Sequence, residues 1–308
     1  MKPILVTTYI NPDLDGFASV VAYTEFLDKT GRSSQSFFSG QLLADAAFAA
    51  SRFRLDCFDQ PERPQDFEKV VVLDLSDLNR LDERIEPGRV IEVIDHRPVD
   101  DFSVFPNAEF CVESVGASAT LVAERFRKNN VSLSEKTAWL LCCAIAVHNL
   151  NFKSPGFTRR DKDAFEWLKE RSGFDLSLIQ EVFSAKSDLG GNKLAQAMEN
   201  DFKWLTIAGK RVGIAQLEVV SGQELVCRRA NEILSQLAEM KSSLFLDFVF
   251  LSIVDVQEGV DYWVTNDAKT QALLKRVSGI EFSQEGVART EKLILRKAII
   301  SLLKKELT

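Results

Sequence analysis

Histidine is nearly absent from this chain, with two among 308 residues. Any histidine-dependent chemistry must therefore run through His96 or His148. Cysteine is sparse too. Cys57, Cys111, Cys142, Cys143 and Cys227 form no Cys-x-x-Cys pair and have no regular spacing. Cys142 and Cys143, adjacent in an apolar stretch, read as small core residues, and the odd count points to a reducing, cytoplasmic compartment. No apolar run approaches the ~18–20 residues needed to span a bilayer. The N-terminus opens on a strand pattern, with no cationic stretch leading into a signal-like core. A basic excess is also missing: 38 Lys and Arg face 45 Asp and Glu, for a net charge of -7. That argues against binding a nucleic acid polymer, which requires a basic surface to displace counterions. It leaves room for a local basic pocket around a small polyanion.

What is present is ordinary globular material, 45% hydrophobic and 27% charged, with a length that suggests two domains. The first half alternates short apolar runs with helical patterns, as βαβ units do. Strands are expected over 3–7, 35–38, 70–75 and 90–95. Helices are expected over 16–30, 41–52, 116–129, 133–147, 161–172 and 176–185. The pattern breaks around Gly190-Gly191. In the second half, strand-like runs cover 204–207, 212–216, 248–254 and 261–264, with helical patterns over 222–241 and 288–306. The reading is an α/β chain: a mostly parallel sheet flanked by helices over 1–186, a linker over 187–192, and a smaller mixed α/β domain over 193–308. No internal repeat or low-complexity segment interrupts it.

Three expected strands each lead into aspartate: Asp13 and Asp15 after Ile4-Leu5-Val6, Asp74 after Val70-Val71-Val72-Leu73, and Asp95 after Val90-Ile91-Glu92-Val93-Ile94. His96 follows at once, and His148 closes the apolar stretch from Trp139. Singly these residues are unremarkable, since Asn-Pro-Asp starts turns and Asp caps helices. Together they put carboxylates and imidazoles, ligands suited to manganese, iron or zinc, at the carboxyl ends of parallel strands where α/β sheets bind ligands.

Read in order, these segments resemble the DHH phosphoesterase family. The likeness is to its branch of family II (manganese-dependent) inorganic pyrophosphatases and prune-type exopolyphosphatases. The matching segments are Asn11-Pro12-Asp13-Leu14-Asp15, Asp74, Asp95-His96-Arg97, the run Val112–Thr120, and Phe152-Lys153-Ser154-Pro155 followed by Thr158 and Asp161. Asp201-Phe202-Lys203 is similar to the start of that branch's C-terminal domain, and Gly286-Val287-Ala288-Arg289 to a degraded phosphate clamp. The departures are Tyr9 where a metal histidine is usual, His148 where an aspartate is usual, and Arg97 where the branch's pyrophosphatases carry a second histidine. Thr290 and Glu291 stand where two lysines are usual, with Lys292 or Arg296 as substitutes.

The resemblance implies two or more divalent ions per chain, manganese foremost with cobalt, magnesium or zinc as alternatives. They would be held by Asp13, Asp15, Asp74, His96 and His148, with Asp95 in support and Tyr9 outside the set. It implies Arg97, Lys153, Lys203 and Arg289 as the groups that neutralise phosphate, in a cleft between the domains. The substrate would be pyrophosphate or short-chain polyphosphate. Two alternatives stay open: a phosphodiesterase acting on cyclic or short nucleotides, and a regulatory binding protein with weakened chemistry. A homodimer paired through N-terminal sheet edges is compatible with the family pattern.

Overall fold

The computed structural model describes residues 2–55, 61–75, 78–98 and 101–308. Cys57 lies outside them. The chain divides into two compact units, the first ending at Ala185 and the second running from Lys186 to Thr308.

The first unit is built on a parallel sheet. Its elements in order are β1 (Ile4–Thr7), α1 (Leu14–Lys29), β2 (Ser34–Phe37), α2 (Ala44–Arg52), β3 (Val70–Leu73), β4 (Val90–Asp95) and β5 (Glu109–Val112). The helices α3 (Ser118–Lys128), α4 (Glu135–His148), α5 (Arg159–Ser172) and α6 (Ser177–Lys186) follow. The strand order is β2-β1-β3-β4-β5, with every pairing parallel. β1, β3 and β4 are buried almost throughout, which is why they read as continuous Val, Ile and Leu rather than as an alternation. Leu5, Val70, Val72, Val90 and Val93 pack with Phe37, Leu75 and Phe105 in one core. Chain order reverses direction between β1 and β3. In open α/β sheets, the crevice at such a reversal is where ligands sit.

The second unit carries α7 (Lys193–Asn200), β6 (Phe202–Ile207), β7 (Lys210–Val219), α8 (Gly222–Ser243), β8 (Phe248–Asp255), β9 (Val260–Val264), α9 (Ala268–Ser278), β10 (Val287–Arg289) and α10 (Arg296–Leu307). Its mixed sheet runs β10-β9-β8-β7-β6, with only β7 and β8 parallel. Alternate residues of β7 enter different cores. Ala215, Leu217 and Val219 pack with Ile233 and Leu237 of α8, while Val212 and Ile214 pack with Leu273 of α9 and Ile299 of α10. Both faces of the sheet are thereby covered.

Three expectations need correction. The helix expected over 288–306 is two elements. Val287–Arg289 joins the edge of the sheet, and the helix starts only at Arg296. The cause lies at Thr290, whose N–H donates to Asp261 O (2.9 Å) and whose Oγ1 accepts from Asp261 N (2.8 Å). The strand expected to reach residue 75 stops at Leu73, because Asp74 adopts a left-handed φ of 55°. Strand β5 and helices α7 and α9 were not foreseen. Among the described residues no helix is long and apolar enough to cross a membrane.

Candidate metal centre

The loop after β1 turns at Asn11, whose φ is 58°. Asp13 then caps α1, its Oδ1 accepting from the backbone N–H of Asp15 (3.0 Å) and Gly16 (3.1 Å). A carboxylate there satisfies two orphan donors and suits the positive end of the helix. Gly16 is required by closeness: a Cβ at this position would lie 2.8 Å from Thr8 Oγ1. The N–H of Asp13 donates to the hydroxyl of buried Tyr9 (3.1 Å), and the Arg80 guanidinium sits 3.8 Å from the centre of the Tyr9 ring.

Asp15 points away from its own helix toward the start of α3. Its two oxygens accept from Ser118 N and Ala119 N, each at 2.8 Å, so it occupies the anion site of a helix N-terminus. Burial nevertheless lifts its carboxyl to about 6; His148 and the two N–H donors pull it down, and Asp13 adds to the rise.

Asp74 and Asp95 end neighbouring strands, Leu73 standing opposite Ile94 in the register. The left-handed turn at Asp74 lets its N–H donate to Ile94 O (2.8 Å), and aspartate is among the few side chains that tolerate this conformation. Both carboxylates are almost inaccessible, at 1% and 0%. Asp74 Oδ1 accepts from Ser118 Oγ (2.9 Å) and from Arg97 Nη2 (2.9 Å). Asp95 Oδ1 accepts from Arg97 N (2.9 Å) and Arg97 Nε (3.1 Å). Burial pushes the Asp74 carboxyl well above the usual range, against the pull of Arg97, with Asp15 adding to the rise. Burial also works against the Arg97 charge, but Asp74 and Asp95 outweigh it and hold the guanidinium protonated.

His96 Nδ1 lies 3.2 Å from Val115 O. A carbonyl only accepts, so Nδ1 carries the proton and Nε2 carries the lone pair. That Nε2 is buried without a hydrogen-bond partner and faces Asp74 Oδ1 at 3.6 Å. Burial, with His148 and Arg97, lowers the imidazole to about 4, so it is neutral at physiological pH. A lone pair facing a carboxylate in a buried pocket is repulsive unless a cation or a proton lies between them, and a cation fits this donor set. His148, the last residue of α4, brings Nδ1 to 3.8 Å from Asp13 Oδ2.

Two groups of donors result, each with its ligand atoms within 4.8 Å of one another: Asp15, His96 and His148, and Asp74, Asp95 and His96. Asp13 borders the first through His148. The six residues expected to bind metal thus gather at one end of the sheet, and Arg97 lies among them. Lys153 is exposed in the segment after α4, beyond Leu150, Asn151 and Phe152, three consecutive non-glycine residues with φ of 51°, 52° and 64°. Lys203 and Arg289 belong to the second unit and sit on its opposite edge strands, β6 and β10. Arg289 is exposed, with Nη2 3.5 Å from Glu258 Oε2. Arg296 is engaged inside its own unit, bonded to Asp201 Oδ1 (2.5 Å) and Asp201 O (2.6 Å).

Sequence reasoning did not assign roles to Ser118, Val115 or Asp161. Asp161 accepts from Gly116 N (3.0 and 2.9 Å), Thr120 Oγ1 (2.6 Å) and Thr158 N (2.8 Å), which pins the segment that carries Val115 and Ser118. The signal was the run of small residues Gly116-Ala117-Ser118-Ala119 between a strand and a helix.

Comparison with known proteins agrees with this geometry. Residues 3–145 match the N-terminal domain of the DHH family and residues 180–305 match the DHHA2 domain. A probable manganese-dependent inorganic pyrophosphatase of Bacillus cytotoxicus is 28% identical over 285 residues, covering 91% of this chain and 89% of that protein. Its counterpart in Bacillus mycoides is 27% identical over the same coverage. Among solved structures, the putative family II inorganic pyrophosphatase of Methanococcus jannaschii superposes with a TM-score of 0.76 at 25% identity, covering 98% of this chain and 99% of that one.

Proposed function

We propose that this chain, which belongs to the DHH family and joins a DHH N-terminal domain to a DHHA2 domain, hydrolyses phosphoanhydride bonds of pyrophosphate or short polyphosphate with the help of divalent cations, manganese first. The observation that carries this reading is the bare Nε2 of His96, buried and facing the Asp74 carboxylate. The manganese-dependent pyrophosphatases to which the chain is similar supply the substrate class. The reading includes two cation positions, one at Asp15, His96 and His148 and one at Asp74, Asp95 and His96. A divalent ion held by these residues would supply Lewis acidity toward a phosphoryl oxygen and would lower the pKa of water at the centre.

The chain's own residues prepare this centre. Val115 O fixes the tautomer and ring orientation of His96, as partners of metal-binding histidines generally do. Ser118 aims one oxygen of Asp74, and the start of α3 holds Asp15. Arg97, its Nη2 and Nε engaged by Asp74 and Asp95, adds positive charge at the rim that attracts phosphate. Lys153, exposed in the segment after α4, is the further cation we assign to the polyanion. The centre's local charge then governs binding, although the chain as a whole is acidic.

Phosphate release from pyrophosphate, tripolyphosphate and long-chain polyphosphate tests the reading, run with manganese, cobalt, magnesium or zinc on wild type and Asp74→Ala. Release that requires a divalent ion and vanishes in the variant is expected, and the preferred chain length names the substrate. Wild-type release no greater than that of Asp74→Ala under every pairing would overturn it and direct attention to nucleotides or to a binding role.

A further inference from the structure

We propose that Arg97 is a tethered cation occupying the second position, so that this chain holds one divalent ion tightly and admits a second only by displacing the guanidinium. This rests on the metal-dependent reading above and refines it. The two donor groups are unequal in two respects. They share His96, and with Nδ1 committed to Val115 O only Nε2 has a lone pair to give. A single lone pair serves a single ion. If the ion at Asp15 and His148 takes it, the other group is left with the carboxylates of Asp74 and Asp95.

Those two carboxylates already have a cation. Arg97 Nη2 lies 2.9 Å from Asp74 Oδ1, its Nε lies 3.1 Å from Asp95 Oδ1, and Nη2 also bonds the backbone carbonyl of Asp74. The residue's own N–H donates to Asp95 Oδ1 at 2.9 Å, so the side chain folds back over a peptide already anchored to the same carboxylate. The guanidinium's planar fork is pre-organised to span two acceptors at once. Asp74 and Asp95 are almost fully buried, while the Arg97 side chain is 41% exposed. The guanidinium therefore closes the group from the solvent side, where an arriving ion would enter. A second ion must push this charge aside or sit against it, and either weakens its binding. By contrast, Asp15 is held by uncharged backbone donors and has two imidazoles as neighbours in its donor group.

The test counts ions rather than turnovers. The full chain, stripped with chelator, is titrated with manganese alone, with bound ions counted by equilibrium dialysis and affinities read by calorimetry. Wild type is expected to bind one ion tightly and a second at least about tenfold more weakly, and Arg97→Ala to bind two with the weaker affinity raised about tenfold or more. His148→Ala should lose the tight ion. Should Arg97→Ala fail to fold without metal, Arg97→Gln serves instead, since its neutral amide leaves no positive charge between the two carboxylates and its second ion should also bind more tightly. Two ions of equal affinity in wild type, or identical binding in wild type and both Arg97 variants, would overturn the role of Arg97 and leave the metal-dependent reading intact. No bound ion in any of the proteins would overturn both.

Discussion

The imidazole rings of His96 and His148 meet edge to face, with centroids 5.0 Å apart and planes at 89°. All the histidine in the chain is thus spent at one point. Val115 O sets the His96 ring, and the His96 ring in turn limits where His148 can turn. An error in the segment after β5 therefore reaches the end of α4 through two rings.

Asp15 bears on the pH range in which a cation would be held. Burial lifts its carboxyl to about 6, and burial together with His148 and Arg97 lowers His96 to about 4. At pH 5 the His96 imidazole is already neutral while Asp15 is mostly protonated, so a cation must displace a proton from Asp15, with the Asp74 carboxyl raised in the same direction. A carboxyl raised in the folded chain contributes stability below its ordinary 3.8 and loses it as pH climbs through about 6. Manganese should therefore raise the melting temperature more at pH 7.5 than at pH 5, its affinity dropping by at least about tenfold per pH unit below 6. An affinity unchanged between pH 7.5 and pH 5 would remove Asp15 from the ligand set.

Ser118→Ala deletes the hydroxyl that donates to Asp74 Oδ1 at 2.9 Å. The fold should survive at a cost of about 1 kcal/mol. Manganese affinity should fall about 10- to 100-fold, because Asp74 loses the bond that aims it. Calorimetric titration showing wild-type affinity would mean that Asp74 is positioned by its backbone alone.

Gly116→Ala would place a Cβ 1.9 Å from Asn149 Oδ1, in a site where Asn149 is fully buried. Relieving the clash moves either the segment carrying Val115 or the end of α4 carrying His148. A loss of about 1–3 kcal/mol is expected from the overpacking, with weaker manganese binding. Adding Asn149→Ala makes room, so the double variant should recover part of the lost stability. A strictly additive pair in thermal denaturation would contradict the contact.

Tyr9→Phe removes the hydroxyl that accepts from Asp13 N at 3.1 Å. Burial, with the Asp13 charge, holds this phenol well above its usual pKa, so it is protonated and uncharged at neutral pH. The variant should lose about 1 kcal/mol of stability while keeping its manganese affinity within about threefold. A collapse of metal binding would instead make Tyr9 a ligand.

Much of the centre was legible because its parts follow strands whose burial is written in their composition. Val70-Val71-Val72-Leu73 and Val90-Ile91-Glu92-Val93 announce central strands, and the aspartate after each stands at the correct end of a parallel sheet. Strand β5 was missed because it is short, lies at an edge and is half exposed, so Glu109-Phe110-Cys111-Val112 shows no continuous apolar signal. The break before α10 was invisible because it depends on Thr290 meeting Asp261, a contact between distant segments. Arg97 was read as a phosphate ligand, and only the folded chain reveals that it already clasps two carboxylates.

The parallel pairing of the first unit also bears on how the protein comes into being. Leu5 lies opposite Val70, and Asp15 touches Ser118 and Ala119, so the candidate metal centre exists only after long stretches of chain have closed on one another. Contacts this remote along the chain delay folding, since the entropy of closing each loop is lost before any bond rewards it. The nascent chain carries only the local fragments Asp13-Leu14-Asp15 and Asp95-His96, poor chelators by themselves. A divalent ion held there would accordingly act late, slowing the unfolding of a finished domain rather than seeding its formation.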